Sequence, residues 1–130
     1  MKFLFFILLS TCAFAKVKPP FENPDPQVEK IENACFPSVI ILKDVLDKHD
    51  IWSRVVQVWF KKPSEGNIIK AHVFIEYIYP KGSTNLWLYD NTGTWDVNFD
   101  LKDNPNALSK KVFEDDGDDF VLVKSNFFLE

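Results

Sequence analysis

Residues 68–90, IIKAHVFIEYIYPKGSTNLWLYD, hold the pattern that decides the fold. β-Branched and aromatic side chains fill Ile68–Tyr79, and a shorter run of the same kind occupies Leu86–Asp90. Between them, Pro80–Asn85 combines Pro, Gly, Ser and Asn, which are typical turn residues. The stretch therefore predicts two antiparallel strands joined by a hairpin turn.

Further β-rich segments lie on either side of this hairpin. They are Ser53–Phe60, Thr94–Phe99, Lys111–Phe113 and Phe120–Lys124. We expect the last two to form a terminal hairpin around Gly117, after a loop at Asp103–Asn106. The segments together predict an antiparallel sheet of about five strands.

A helical pattern precedes the strands. Within Gln27–Asp50, apolar side chains recur at helical spacing, namely Val39, Leu42, Val45 and Leu46. Pro37 cannot lie deep in a helix, so the helix has to begin within a few residues before it, with Asn33 as a candidate N-cap. We expect the helix to end near His49–Asp50. The predicted fold class is α+β, with an N-terminal helix carrying Cys35 packed on the antiparallel sheet.

The first 26 residues have a different character from the rest of the chain. Residues 1–15, MKFLFFILLSTCAFA, join Lys2 to an apolar run and an Ala-x-Ala end, which is typical of a secretory signal peptide. A lipoprotein signal ending at Cys12 is the alternative. Residues 16–26 are rich in proline and predict an extended arm, and residues 27–130 form a single domain. We therefore expect a secreted or periplasmic protein.

Composition excludes several classes of function. The 130 residues carry a net charge of −4 with one arginine, which argues against binding of nucleic acid. No apolar run after the signal reaches the roughly 18 residues of a membrane-spanning helix. The chain after the signal has one cysteine and two histidines and lacks a Gly-rich phosphate loop, so we expect no metal and no cofactor. The acidic segment 114–119 lacks the spacing of a calcium loop and is interpreted as a solvated turn.

Three residues have the types and order of a nucleophilic catalytic site. Cys35 lies near the start of the predicted helix, where backbone N–H groups and the helix dipole favour a thiolate. His72 and Asp90 lie on the two strands of the hairpin, within a few residues of each other across the strands. If the helix packs on that sheet, Cys35, His72 and Asp90 become nucleophile, base and orienting group. In the alternative interpretation, Cys35 is a core residue and Asp90 a turn former.

The same residues resemble a known superfamily. The run from Cys35 to Arg54 is similar to the nucleophile helix of transglutaminase-like, papain-fold cysteine enzymes. Ala71–Glu76 resembles the family's His-Ala-Trp-x-Glu strand, and Leu86–Thr92 its Trp-x-x-x-Asp-x-Thr strand. The resemblance implies a papain-like core and a Cys-His-Asp triad, although Asp50 stands where the family has Gly.

An oxyanion donor upstream of the cysteine is also implied by the resemblance. The candidates are the side chains of Gln27 and Asn33 and the backbone N–H of Cys35. Trp87, three residues before Asp90, is the tryptophan that we expect near the site.

Two functions of different classes follow. One is an exported cysteine-dependent enzyme that transfers acyl groups from amide bonds of a protein or peptide substrate, as a peptidase, deamidase or transglutaminase. The other is an exported, non-catalytic binding module of the same fold that holds a peptide or protein partner in an aromatic groove. The sequence leaves the oligomeric state open.

Overall fold

The computed structural model describes residues 35–129. The expected signal peptide, Cys12, the expected proline-rich arm, Gln27 and Asn33 lie outside the described residues. The helices are α1 (Cys35–Lys48) and α2 (Pro105–Val112). The strands are β1 (Ser53–Lys61), β2 (Lys70–Ile78), β3 (Leu86–Asp90), β4 (Gly93–Val97) and β5 (Val121–Leu129). Short 3-10 helices occupy Pro63–Glu65, Phe99–Leu101 and Glu114–Asp119.

The strands form one antiparallel sheet in the order β4-β3-β2-β1-β5. The hairpin of β2 and β3 is confirmed, and its register pairs Ile75 with Tyr89 and Tyr77 with Trp87. β1 lies between β2 and β5, so the C-terminal strand returns beside a strand from the beginning of the domain. The fold is α+β, an N-terminal helix packed on a five-stranded antiparallel sheet, as the sequence predicts.

Each face of the sheet has its own hydrophobic core. On one face, Val39, Leu42 and Leu46 of α1 pack against side chains of the three central strands, among them Val55, Val73, Ile75, Tyr77, Trp87 and Tyr89. The helical spacing of 39, 42 and 46 places these three residues on one side of α1, which explains why the periodicity predicts the buried face. On the other face, Leu108 of α2 packs on a second set of side chains that includes Val56, Val58, Phe74 and Leu88.

The expected terminal hairpin around Gly117 is wrong. Lys111 and Val112 belong to α2, and the loop expected at Asp103–Asn106 ends early because this helix begins at Pro105. The Asn104 side chain caps α2 by accepting a hydrogen bond from the N–H of Ala107 at 3.0 Å. β5 pairs with β1 over most of its length and not with residues 111–113, because the second edge of β1 is free to accept it.

Smaller differences from the sequence predictions concern the bounds of β2 and β4. Ile68 and Ile69 precede β2 and are exposed, although their residue types favour a strand. β4 ends at Val97, and Phe99 starts a 3-10 helix capped by Asn98.

Neither helix of the described residues has the length and apolar character needed to cross a membrane.

Candidate active site

Cys35 is the first residue of α1. Pro37 lies two residues farther on, within the first described turn, where the missing N–H of proline costs no helical hydrogen bond. The first N–H groups of a helix have no partner inside it and carry a partial positive charge. The half-buried Cys35 side chain therefore lies where negative charge is favoured.

His72 and Asp90 form a hydrogen-bonded pair across β2 and β3. His72 Nε2 lies 3.0 Å from Asp90 Oδ2, and the two side chains are 16% and 5% exposed. Because Ile75 pairs with Tyr89, Asp90 stands opposite Phe74, two residues from His72. Side chains alternate between faces along a strand, so His72 and Asp90 share a face and meet diagonally.

The turn after β3 holds the Asp90 carboxylate in place. Both the N–H and the hydroxyl of Thr92 donate to Asp90 Oδ1, at 2.8 and 2.5 Å. Oδ2 is thereby left for His72, so the two carboxylate oxygens have separate partners. Burial raises the pKa of Asp90, but the hydrogen bonds from His72 and Thr92 outweigh burial and hold that pKa below its usual range. Asp90 is therefore ionised at neutral pH.

The Cys35 thiol completes the constellation. Its hydrogen bond with the His72 side chain is the main cause of a lowered thiol pKa, which burial opposes and the backbone of Val73 assists. Because Asp90 occupies Nε2, Nδ1 is the ring nitrogen left for the Cys35 sulfur. The structure thus brings together the three residues that the sequence analysis singled out.

Charge separation between Cys35 and His72 follows from the pKa values. Burial lowers the pKa of His72, but hydrogen bonds and charge interactions with Asp90 and Cys35 outweigh it and raise the pKa to about 9. A lowered thiol pKa beside a raised imidazole pKa favours a thiolate–imidazolium pair near neutral pH. That pair is the activated state of a nucleophilic cysteine.

Phe113 is a site residue that the sequence analysis missed. Its ring meets the His72 ring edge to face, with centroids 5.5 Å apart at 73°. Phe113 also stacks on Phe120 at 4.5 Å and lies 4.5 Å from Phe60. These aromatic rings pack beside the imidazole and restrict its orientation. The only sequence signal is that Phe113 and Phe120 bracket the acidic segment, so that closing this segment brings them together.

The remaining sequence candidates do not join this cluster. Trp87 is buried, stacks on Tyr77 and donates from Nε1 to the carbonyl of Tyr79 at 3.1 Å. Its side chain belongs to the core under α1, on the opposite face from Asp90 and several residues along the sheet from His72. Gln27 and Asn33 lie outside the described residues, so their proposed role as oxyanion donors stays a prediction. Within residues 35–129, no cluster of three or more Cys, His, Asp or Glu side chains could hold a metal ion.

No protein-family model, curated protein or solved structure was found to match this chain. Its function therefore has to be inferred from the site itself.

Proposed function

We propose that this protein is a cysteine-dependent acyl-transfer enzyme that acts on amide bonds of protein or peptide substrates. The observation that carries the proposal is the position of His72, which lies 3.0 Å from Asp90 and interacts with the Cys35 thiol at the start of α1, lowering the pKa of that thiol. Nucleophile, base and orienting carboxylate lie together in that order, which is the arrangement of covalent catalysis on a carbonyl carbon.

Acylation follows from this geometry. The Cys35 thiolate adds to the carbonyl carbon of the amide, forming an S–C bond while an electron pair moves onto the carbonyl oxygen. The electron pair then returns, the C–N bond breaks, and the His72 imidazolium gives its proton to the departing nitrogen. The products are a thioester on Cys35, a free amine and a neutral imidazole. Asp90 keeps the ring oriented and stabilises its charged form.

Deacylation reverses these roles. Neutral His72 takes a proton from an incoming water or amine, whose oxygen or nitrogen adds to the thioester carbon. The C–S bond then breaks and returns the thiolate, with the proton held on the imidazole. Water gives a peptidase or deamidase, and a lysine amine gives a transglutaminase. The choice depends on which nucleophile reaches the thioester.

A polar cavity of about 340 Å³ adjoins the site on the Asp90 side. Thr92, which holds Asp90, forms part of its wall, as do Trp95 and the residues on either side of Phe113. The cavity gives room for part of a peptide beside the His72–Asp90 pair. Its position supports a peptide or protein as substrate.

Export is part of the proposal, and the signal-like residues 1–15 support it. Intact-mass measurement of the protein from its native envelope or medium tests this. Loss of residues 1–15 is expected. A mass that includes them would contradict export, and a diacylglycerol on Cys12 would indicate the lipoprotein form.

The activity is tested by alkylating the native protein with iodoacetamide between about pH 5 and 9. We expect Cys35 to react at the acid end, because a thiolate persists there. His72→Ala should move the reaction to the pH range of an ordinary thiol. The matched control is His49→Ala, which removes the other histidine and should leave the rate unchanged.

If Cys35 reacts only after unfolding in every variant, the proposed enzymatic function is refuted. The binding module with the same fold would then remain. The same conclusion follows if Cys35→Ala leaves the biological phenotype unchanged.

A further inference from the structure

The cavity of about 340 Å³ beside the catalytic pair has walls from two parts of the fold. Residues 92–95, in the turn after β3 and the start of β4, form one wall, and the end of α2 with residues 114 and 115 forms the other. Described contacts join both walls to the pair. Thr92 donates two hydrogen bonds to Asp90, and the ring of Phe113, within the second wall, meets the ring of His72. The cavity therefore opens directly beside the imidazole and its carboxylate.

The cavity and the catalytic pair lie on the same face of the sheet. Trp95 of the cavity wall pairs with Leu88 and packs against the hydrophobic core under α2, and so does Phe113, which contacts His72. β4 and β2 are two strand spacings apart, about 10 Å, a distance that about three extended residues span. A peptide that reacts at Cys35 beside His72 therefore reaches the cavity with a side chain about three residues from the reacting carbonyl.

The charged side chains at the cavity leave one carboxylate without a counter-ion. Lys111 lies 3.4 Å from Glu114, so these two charges offset each other. Asp116, outside the cavity, lies 3.1 Å from Lys62. The carboxylate of Asp115, between them in sequence, has no ion-pair or hydrogen-bond partner among the described residues. The cavity wall thus carries a net negative charge, and Asp115 is its source.

Trp95 adds an aromatic surface to the same cavity. Its side chain is half-buried against the core and lines the cavity with its remaining surface. Among aromatic side chains, the indole binds a cation most strongly over its face. Lysine and arginine join an apolar stem to a charged head, so the stem can pack on a ring while the head meets a carboxylate. Trp95 and Asp115 together therefore suit a basic side chain.

We propose that this cavity is a specificity subsite for a lysine or arginine side chain of the peptide or protein substrate, and that Asp115 selects it. The inference rests on the proposed function. In the complex, the cationic head lies at Asp115 and the stem along Trp95, while the peptide backbone continues past the end of β3 towards Cys35. An acidic side chain would meet the unpaired carboxylate of Asp115, so the subsite discriminates against it.

Protection of Cys35 from iodoacetamide measures occupancy of the site, whichever nucleophile completes the reaction. The probes are blocked heptapeptides, acetyl-Ser-Gly-Ser-X-Ser-Gly-Ser-amide, in which X is lysine, norleucine or glutamate. Three residues on each side of X let the chain reach Cys35 in either direction. The rate of each variant without peptide is its own reference. We expect the lysine peptide to give half-protection at about a tenfold lower concentration than the norleucine peptide, and the glutamate peptide to protect least.

Charge reversal at Asp115 locates the source of this preference. Asp115→Lys should reverse the order, so that the glutamate peptide protects at the lowest concentration. Asp118→Lys is the matched control, because it changes the net charge by the same amount at an exposed position of the same segment that does not line the cavity. This control should keep the preference for lysine.

The outcomes separate the subsite from the function beneath it. Equal protection by the lysine and norleucine peptides, or no protection by any peptide, would overturn the subsite and leave the triad standing. A lysine preference that survives in Asp115→Lys would also overturn it. So would an equal loss in Asp118→Lys, because net charge would then be the cause. A native Cys35 that does not react with iodoacetamide would remove the proposed function and the subsite with it.

Discussion

The charge on His72 depends on Asp90, and Asp90→Asn measures that dependence. The substitution keeps the shape of the side chain and lets Oδ1 continue to accept from Thr92. It removes the carboxylate that lies 3.0 Å from His72 Nε2. An amide N–H facing Nε2 favours the neutral ring, whereas a carboxylate favours the charged ring. We therefore expect the pKa of His72 to fall from about 9 towards its ordinary value of 6.5, while the neighbouring Cys35 still favours the charged ring.

The size of the effect follows from the same values. A rise in pKa from 6.5 to about 9 corresponds to about 3 kcal/mol of preference for the charged ring. Because the pKa is raised in the folded protein, this stabilisation is fully present below pH 6.5 and is lost as the pH rises through about 9. Asp90→Asn should therefore lower the free energy of unfolding by up to about 3 kcal/mol near pH 6, and the difference should narrow above pH 9.

Proton NMR titration of the imidazole rings is the assay. The chain has two histidines, so His49 serves as an internal reference in the same sample. Asp96→Asn, which removes an exposed carboxylate from the neighbouring β4, is the matched control and should leave His72 unchanged. The reasoning is refuted if His72 of the wild-type protein titrates near 6.5, or if Asp90→Asn leaves its titration unaltered.

Three further substitutions test the fold and the support of the site. Burial raises the pKa of Glu76 from 4.5 to about 8 against the opposing charge of Arg54, so wild-type stability should fall as pH rises from about 4.5 to about 8. Urea denaturation of Glu76→Gln should show a smaller fall over this range. Thr92→Val removes the hydroxyl that donates to Asp90, which should cost about 1 kcal/mol in urea denaturation and slow alkylation of Cys35 at acid pH. Asn104→Ala removes the cap of α2, which should cost about 1 kcal/mol in the same denaturation assay without changing the alkylation rate.

Each of these substitutions has an outcome that contradicts its reasoning. For Glu76→Gln, the contradicting outcome is a free energy of unfolding that falls with pH as steeply as in the wild type. Glu65→Gln, at an exposed position, is the control. For Thr92→Val, it is unchanged stability together with unchanged alkylation. For Asn104→Ala, slower alkylation would show that the cap also supports the site.

The hairpin of β2 and β3 and the buried face of α1 could be predicted because both depend on short-range patterns. The β-rich runs and the turn between them are continuous in sequence, and the α1 residues follow a 3.6-residue period. The end of the chain could not be predicted in the same way. Residues 111–113 have strand-like composition, but the cap at Asn104 and the packing of Leu108 make the segment helical. β5 then pairs with β1, a choice that depends on which sheet edge is free.

The same distinction between local sequence and tertiary structure applies to the candidate site. The order and types of Cys35, His72 and Asp90, and the start of a helix at Cys35, are determined by the sequence, since each depends on nearby residues. Tertiary structure decided which neighbours complete the cluster. Trp87 lies close to Asp90 in sequence but points to the opposite face, because side chains alternate along a strand. Phe113 is 41 residues from His72 and reaches its ring only because α2 folds back over the sheet.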